Sequence, residues 1–240
     1  MKYFYSASVM GYGFGRKWHK RYNFPNFPRV TKTLTLNRRI RYPFLVFKYK
    51  NSVWNKVSLH NIGFFEWFKR YSSRDLSNIT VSIAGTGDEI NRMISILDCL
   101  DIMGIEINIS CPNVFHYNKI INLTNSRHDL YLKIACDTDI YSYNFLDRIK
   151  EFRLNSVKMY SGGVSGKIAQ EYNWSTIKYL IDQGFDAAGC SCLNFDDVQK
   201  LADIGCTNIG IGSTILIDPI FVESLRFSNI YDFGEKALSL

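Results

Sequence analysis

Short apolar strand patterns alternate with helical patterns along most of this chain. Eight segments have the alternating, β-branched composition of strands, and they are residues 2–8, 29–35, 79–84, 105–110, 130–135, 156–160, 185–189 and 208–211. Five segments between and after them have helical spacing, and they are residues 88–103, 141–152, 174–183, 196–204 and 219–227. This order predicts a compact (β/α)8 TIM barrel, an α/β fold that occupies residues 1–240 as a single domain. A doubly wound open sheet is the structural alternative.

The composition is that of an ordinary globular protein from a reducing compartment. Hydrophobic residues make up 46% of the chain, and no apolar run approaches the roughly 20 residues that a membrane helix needs. The six cysteines lack the dense spacing of a disulfide scaffold, and no His and Cys cluster has zinc-site spacing. The first residues become polar too soon for a signal peptide. We therefore expect a cytoplasmic protein without a membrane partner or a bound metal.

The charge balance adds one question about partners. The net charge is +7, and much of the excess lies in the first third, in Arg16, Lys17, Lys20, Arg21, Arg38, Arg39, Arg41, Lys48 and Lys50. Such a run is typical of a solvated face. A site for an anionic ligand or for nucleic acid is the sharper interpretation.

The most specific motif is Glu106-Ile-Asn-Ile-Ser-Cys-Pro-Asn113. It reads as a strand that ends in a turn, so Asn108, Cys111 and Asn113 lie at or just beyond one strand end. Catalytic groups collect at the carboxyl edge of parallel α/β proteins. A thiol beside two carboxamides can accept a proton there while the amides hold a substrate. A buried structural cysteine is the alternative.

Other predicted strand ends carry groups suited to an anionic ligand. Lys32 ends the second strand and Lys133 the fifth, and a buried lysine is costly unless an anion or a cofactor heteroatom pairs with it. For either lysine alone, a side chain that reaches solvent is the alternative. Glycine-rich turns at Gly162-Gly-Val-Ser-Gly166 and Gly210-Ile-Gly-Ser213 expose backbone N–H groups that could bind a phosphate.

The ordered set of these motifs resembles the dihydroorotate dehydrogenase (DHODH) family, and its cytosolic, cysteine-base class most of all. The motifs that carry the resemblance are Ala7-Ser8, Thr31-Lys-Thr33, Asn55 with Leu59-His-Asn-Ile-Gly63, Ser82-Ile-Ala-Gly85, Asn108-Ile-Ser-Cys-Pro-Asn113, Lys133, Gly162-Gly-Val-Ser-Gly166 and Ile211-Gly-Ser213. They cover nearly the whole chain. The resemblance implies an FMN-containing barrel that oxidises dihydroorotate to orotate in pyrimidine biosynthesis.

The resemblance also implies a role for each matching residue. Cys111 would be the catalytic base. The substrate-binding residues would be Lys32, Asn55, Val57, Ser58, Leu59, Asn108, Asn113 and Lys158. FMN would be held by Ala7, Ser8, Lys32, Asn108, Lys133, Gly163, Ser191, Cys192, Gly212 and Ser213, with Lys133 beside the electron-rich edge of the flavin. The cytosolic class further implies fumarate as the electron acceptor and a homodimer.

The chain departs from the family at the same site. Val9, Ser58, Ser191 and Cys192 stand where the family has glycine, and Arg41-Tyr-Pro43 replaces its Gly-Asn-Pro. A side chain added where the backbone approaches phosphate would clash or move the ligand outward.

Two alternatives to the oxidation of dihydroorotate therefore stay open. One is a barrel of the same ancestry that has lost the reaction and serves in binding or as a subunit. The other is a flavin barrel that acts on RNA, similar to the dihydrouridine synthases. The sequence has no additional RNA-binding domain, so we expect no nucleic-acid partner.

Overall fold

The computed structural model describes residues 1–40, 45–57, 59–110, 123–154, 156–159 and 162–227. The strands within them are β1 (Lys2–Tyr5), β2 (Arg29–Val30), β3 (Leu45–Tyr49), β4 (Ser52–Lys56), β5 (Leu76–Ile83), β6 (Ile102–Asn108), β7 (Leu130–Ile134), β8 (Ile149–Leu154), β9 (Val157–Met159), β10 (Gly162–Gly166), β11 (Ala187–Ala188) and β12 (Asn208–Ile211). The α-helices are α1 (Phe64–Tyr71), α2 (Gly87–Leu97), α3 (Gln170–Asp182), α4 (Phe195–Ile204), α5 (Thr214–Ile217) and α6 (Pro219–Ser224). Single 3₁₀ turns occupy Lys17–Arg21, Ile140–Ser142, Leu146–Arg148, Lys167–Ala169 and Leu225–Phe227.

Eight parallel strands form a barrel. Their order is β11-β8-β7-β6-β5-β2-β1-β12. The two ends of this order meet where Gly189 bridges Ile209, with hydrogen bonds from Gly189 N to Asn208 O and from Gly210 N to Gly189 O, both at 2.8 Å. The predicted α/β TIM-barrel fold is therefore confirmed.

Alternation along each strand separates the outer core from the barrel interior. On β6, Ile105 and Ile107 are fully buried in the main hydrophobic core, while Glu106 and Asn108 face inward. The helix α2 covers the outer face with a fully buried stripe of Ile90, Met93, Ile94 and Leu97. Its start is fixed by a capping box, in which Thr86 Oγ1 accepts from Glu89 N and Thr86 N donates to Glu89 Oε2.

A buried ion network crosses the barrel interior. Arg153 on β8 donates from Nε to Glu151 Oε1 at 2.9 Å and from Nη1 to Glu106 Oε2 at 3.5 Å. Because β6 and β8 are not neighbours, the second contact spans the interior. The guanidinium also lies 4.3 Å from the ring centroid of Phe4 and 3.7 Å from that of Tyr131. The charges are thus compensated inside the barrel rather than by water.

A second sheet of four antiparallel strands lies outside the barrel order. Its strands run β3-β4-β10-β9, with β3 and β4 joined as a hairpin that turns at Lys50 and Asn51. The Gly162–Gly166 segment pairs with β4 from Gly163 to Gly166 and with β9 at Gly162, so it is a strand of this sheet. The sequence interpretation of that segment as a glycine turn ending the sixth barrel strand is therefore wrong.

The sixth barrel strand was also predicted in the wrong place. The sequence pattern predicts a helix over residues 141–152 and a strand over 156–160, whereas the barrel strand is β8 (Ile149–Leu154). The strand β9 belongs to the antiparallel sheet instead. Glu151 and Arg153 of β8 are charged, so the sequence pattern resembles that of an exposed helix face. In the fold these two side chains form an ion pair inside the barrel. Similarly, the helix predicted over 88–103 ends at Leu97, and β6 begins at Ile102.

No helix in the part of the chain that the structure describes is long and apolar enough to cross a membrane.

Candidate functional site

A large cavity opens at the carboxyl ends of the barrel strands. Its volume is about 1280 Å³, and its wall includes the residues that follow or end β1, β2, β6, β7 and β12. The antiparallel sheet contributes Val53 and Asn55 from β4, with Gly163 and Ser165 from β10. Ligand pockets commonly enclose about 300–1,000 Å³, so this cavity has room for a cofactor together with a small substrate.

The cavity brings together most of the residues that the sequence singled out. Thirteen of them line it, and they are Ala7, Ser8, Lys32, Asn55, Val57, Leu59, Asn108, Lys133, Lys158, Gly163, Ser191, Gly212 and Ser213. Ser58, Cys111 and Asn113 lie outside the described residues, as do Arg41 to Pro43. Ser110, directly before Cys111, lines the cavity.

Lys158 reaches this cavity from an unexpected element. The sequence assigned it to the sixth barrel strand, but it lies on β9 of the antiparallel sheet and is exposed. It pairs in register with Gly163 of β10, which also lines the cavity. The end of the true sixth strand is instead Leu154, and Ser156 shortly after it lines the same space.

The amide of Asn108 is held in one orientation by its neighbours. Its Nδ2 donates to Thr33 Oγ1 at 2.8 Å, and its Oδ1 accepts from the backbone N and the hydroxyl of Ser110 at 3.1 and 2.7 Å. The side chain of Asn108 is buried and lines the cavity. A carboxamide has two N–H donors, so one hydrogen of Nδ2 is not used by these contacts.

Hydrogen bonds continue from Asn108 into the barrel. Thr33 Oγ1 lies 2.9 Å from Ser82 Oγ, and Ser82 Oγ donates to Glu106 Oε1 at 2.8 Å. Glu106 is in turn the partner of Arg153. The cavity floor is therefore coupled to the buried ion network, which restricts the rotamers of the polar residues that face a ligand.

The cavity is strongly electropositive. Among the described residues that line it, the basic ones are Arg16, Lys32, Lys56, Lys133 and Lys158, and the acidic one is Asp137. Burial, with a smaller contribution from the charge of Arg16, lowers the pKa of Lys32 to about 8. Burial also lowers the pKa of His60, and the charges of Lys32 and Arg38 lower it further. An anionic ligand would relieve this repulsion.

The turn after β11 carries the two residues that replace family glycines, Ser191 and Cys192. Ser191 has a φ of 58°, the left-handed conformation that glycine adopts most easily, and it lines the cavity. Cys192 does not line the cavity. Its side chain is fully buried in the main core, where its thiol donates to Asn194 O at 3.5 Å. The added side chain of Cys192 therefore leaves the cavity open.

The cysteines around this turn are poor nucleophiles. Burial raises the pKa of both Cys190 and Cys192 to about 12, so each thiol is neutral near pH 7. Cys192, predicted to contact the cofactor, could do so only through its backbone. In the described part of the chain, no group of three or more His, Cys, Asp or Glu residues could hold a metal ion.

Two features of the cavity wall are compatible with a bound polar cofactor. A Cβ at Gly163 would lie 2.4 Å from Ser156 Oγ, so only glycine allows this close packing of the wall. The Oδ1 of Asn173, a fully buried residue on α3 that lines the cavity, has no hydrogen-bond partner among the described residues. An unsatisfied buried polar atom beside a cavity is expected where a ligand completes the hydrogen bonding.

Sequence reasoning placed Arg16 only among the basic residues of the first third, and it did not single out Lys56, Asp137 or Asn173, which also line the cavity. Arg16 lies in a loop between β1 and β2, and Asp137 follows β7 without a recognisable motif. Asn173 lies three residues after Gln170 on α3, and the burial of both polar side chains is visible only in the folded chain. Three-residue spacing places them on one face of the helix.

A closed eight-stranded parallel barrel with a carboxyl-edge cavity partly walled by an antiparallel sheet defines a TIM-barrel protein. Its structure is similar to the crystal structure of a ligand-free DHODH from Eimeria tenella, with a TM-score of 0.68. The alignment covers 95% of this chain and 84% of that chain at 14% sequence identity, a likeness that shows the fold. No protein-family model matches the sequence, and no curated protein matches it significantly.

Proposed function

We propose that this protein is an FMN-dependent oxidoreductase that oxidises dihydroorotate to orotate in pyrimidine biosynthesis. One observation carries the proposal: an electropositive cavity at the carboxyl edge of a DHODH-like barrel is lined by thirteen of the residues predicted to bind substrate or cofactor. Dihydroorotate and FMN are both anions, so both suit this charge. Fumarate as the electron acceptor and a homodimeric assembly belong to the same proposal by resemblance.

FMN would occupy the part of the cavity bounded by the ends of β7, β11 and β12. Lys133 is 8% exposed, and its cationic side chain there suits the electron-rich edge of a flavin. Ser191, Gly212 and Ser213 would hold the phosphate through backbone and hydroxyl groups, and Ala7, Ser8 and Gly163 would pack against the ring system. When bound, FMN supplies the acceptor for the hydride that leaves the dihydropyrimidine ring.

The substrate would lie between Lys32, Asn55 and the Asn108 amide. With a pKa near 8, Lys32 is mainly protonated at neutral pH and can bind the carboxylate of dihydroorotate. Asn55 Nδ2 lies 3.4 Å from Gly163 O, which keeps its carboxamide at the cavity wall. The free N–H of Asn108 can donate to a ring carbonyl, as can Asn113.

Cys111 would remove the proton from the ring carbon next to the one that loses hydride. Loss of both leaves the carbon–carbon double bond of orotate. A thiol serves as a base near neutral pH only when part of it is thiolate. Ser110, the residue before Cys111, lines a cavity with a surplus of cations, and such cations would favour the anionic form of a nearby thiol.

Reconstitution with FMN followed by titration with orotate tests the proposed site. We expect the protein to bind FMN and orotate to shift the flavin spectrum. Lys32→Met should weaken orotate binding by about 10–100-fold, the effect of removing one charge-assisted hydrogen bond. Lys178→Met is the matched control, because Lys178 is exposed and pairs with Asp182 on the surface of α3. Failure to bind FMN, or equal effects of both variants, would contradict the proposal.

A further inference from the structure

The turn formed by Cys190, Ser191 and Cys192 has a backbone conformation typical of glycine, although it contains no glycine. Ser191 is held at a φ of 58°, a conformation that non-glycine residues adopt only when their surroundings impose it. The turn follows β11 directly and forms part of the cavity wall through Cys190 and Ser191. Some feature of the surrounding structure must therefore supply what the glycine pair of the family provides.

Three side chains bind the three successive carbonyl groups of the turn. Trp174 Nε1 donates to Cys190 O at 2.8 Å, and Gln170 Nε2 donates to Ser191 O at 2.9 Å. Thr214 Oγ1 donates to Cys192 O at 2.6 Å. Gln170 and Thr214 are almost completely buried, at 5% and 1% exposure. Buried hydrogen bonds of this kind fix the turn far more firmly than solvent-exposed bonds would.

Asp197, in the first turn of α4, binds both Gln170 and the residue that follows the turn. Its Oδ2 accepts from Gln170 Nε2 at 2.7 Å and from the backbone N of Leu193 at 2.9 Å. Asp197 is itself oriented, because its backbone N donates to Asn194 Oδ1 at 2.8 Å. Gln170 thus bridges the carbonyl of Ser191 and the carboxylate that holds the next residues of the chain.

The backbone N–H groups of the turn remain available to a ligand. No hydrogen bond within the described ranges uses the backbone N–H of Ser191 or of Cys192. Successive N–H groups around a left-handed residue converge into a concave site for an anion. Lys133 lies close enough for its positive charge to act on the Cys190 thiol, and a positive charge there would attract an anion.

We propose that Gln170, Trp174 and Thr214 are positioning residues that hold the Cys190–Cys192 turn as a phosphate-binding site and replace the conformational freedom of a glycine pair. The proposal rests on the proposed function, because the phosphate is that of FMN. These three side chains act on the phosphate only through the backbone that they hold.

Comparison of FMN with riboflavin isolates the phosphate contribution, because the two flavins differ only in that group. Dissociation constants for both are measured by quenching of flavin fluorescence in the whole protein. We expect the wild type to bind FMN about 100-fold more tightly than riboflavin, as two charge-assisted hydrogen bonds would produce. Thr214→Val and Trp174→Phe remove one donor each with little change of shape, and each should lower that ratio about tenfold.

Thr176→Val is the matched control. Thr176 Oγ1 also lies within hydrogen-bonding distance of backbone carbonyls, 3.0 Å from Tyr172 O and 3.3 Å from Cys136 O, and Thr176 does not line the cavity. This variant should leave the FMN-to-riboflavin ratio unchanged. An unchanged ratio in Thr214→Val and Trp174→Phe, or equal weakening of both flavins, would overturn the positioning role while leaving the flavin site intact. A wild type that binds neither flavin would overturn the proposed function and this role together.

Discussion

Replacement of Arg153 by methionine should destabilise the barrel severely. The guanidinium is the common partner of Glu106 and Glu151, and it packs against the rings of Phe4 and Tyr131. Arg153→Met retains most of the side-chain volume but leaves the buried carboxylates of Glu106 and Glu151 without the guanidinium that they share. Loss of one partner of a buried ion pair costs about 3–5 kcal/mol. Removal of the cation from the aromatic faces adds about 0.5–2 kcal/mol.

The expected loss of unfolding free energy is therefore about 3.5–7 kcal/mol, a large share of the 5–15 kcal/mol typical of a folded domain. Urea denaturation followed by tryptophan fluorescence measures it. Lys150→Met is the control, since Lys150 pairs with Asp129 on the surface, where both side chains are about half exposed. That pair should contribute no more than about 1 kcal/mol.

Two results would refute this reasoning. The first is an Arg153→Met variant that loses no more stability than Lys150→Met. The second is a failure of charge removal to rescue the fold. Adding Glu106→Gln and Glu151→Gln to Arg153→Met should recover part of the loss, because neither position then holds a buried carboxylate that lacks the guanidinium.

Three further predictions concern ionisation and chemistry. The pKa of Lys32 in the fold is about 8, below its ordinary value of 10.5, so the protonated fraction of Lys32 falls about tenfold per pH unit above pH 8. Orotate affinity should fall with that fraction, and titrations that show constant affinity from pH 8 to 10 would exclude this role. For the same reason the unfolded chain binds more protons at Lys32 between pH 8 and 10.5, and its contribution to unfolding free energy should rise with pH across that window, as denaturation of wild type against Lys32→Met can test. Cys111→Ser should slow flavin reduction by dihydroorotate strongly at neutral pH, whereas an unchanged rate would remove Cys111 from the role of base.

Much of the site could be predicted because functional groups collect where parallel strands end. Lys133 and Asn108 lie opposite each other on the adjacent strands β6 and β7, and both face the barrel interior beside the cavity. Strand alternation, together with the expectation that a site lies at the carboxyl edge of the sheet, is sufficient to predict such residues. The two-residue period of side chains along a strand depends only on the local sequence.

Contacts between residues far apart in the sequence could not be predicted in this way. Asn55 on β4 faces Gly163 on β10, a pairing across 108 positions that no local pattern indicates. The strand β8 was missed because Glu151 and Arg153 satisfy each other in the interior, and a sequence shows their charges without their partners. The effect of Ser191 likewise depends on side chains from α3 and α5, which only the folded chain brings together.

Anaerobic titration of the FMN-loaded protein with dihydroorotate tests the central claim most directly. The flavin absorbance band should bleach as dihydroorotate is added, and an equal amount of orotate should form. A protein that holds FMN but shows no bleaching with excess dihydroorotate would contradict the claim that this cavity catalyses its oxidation.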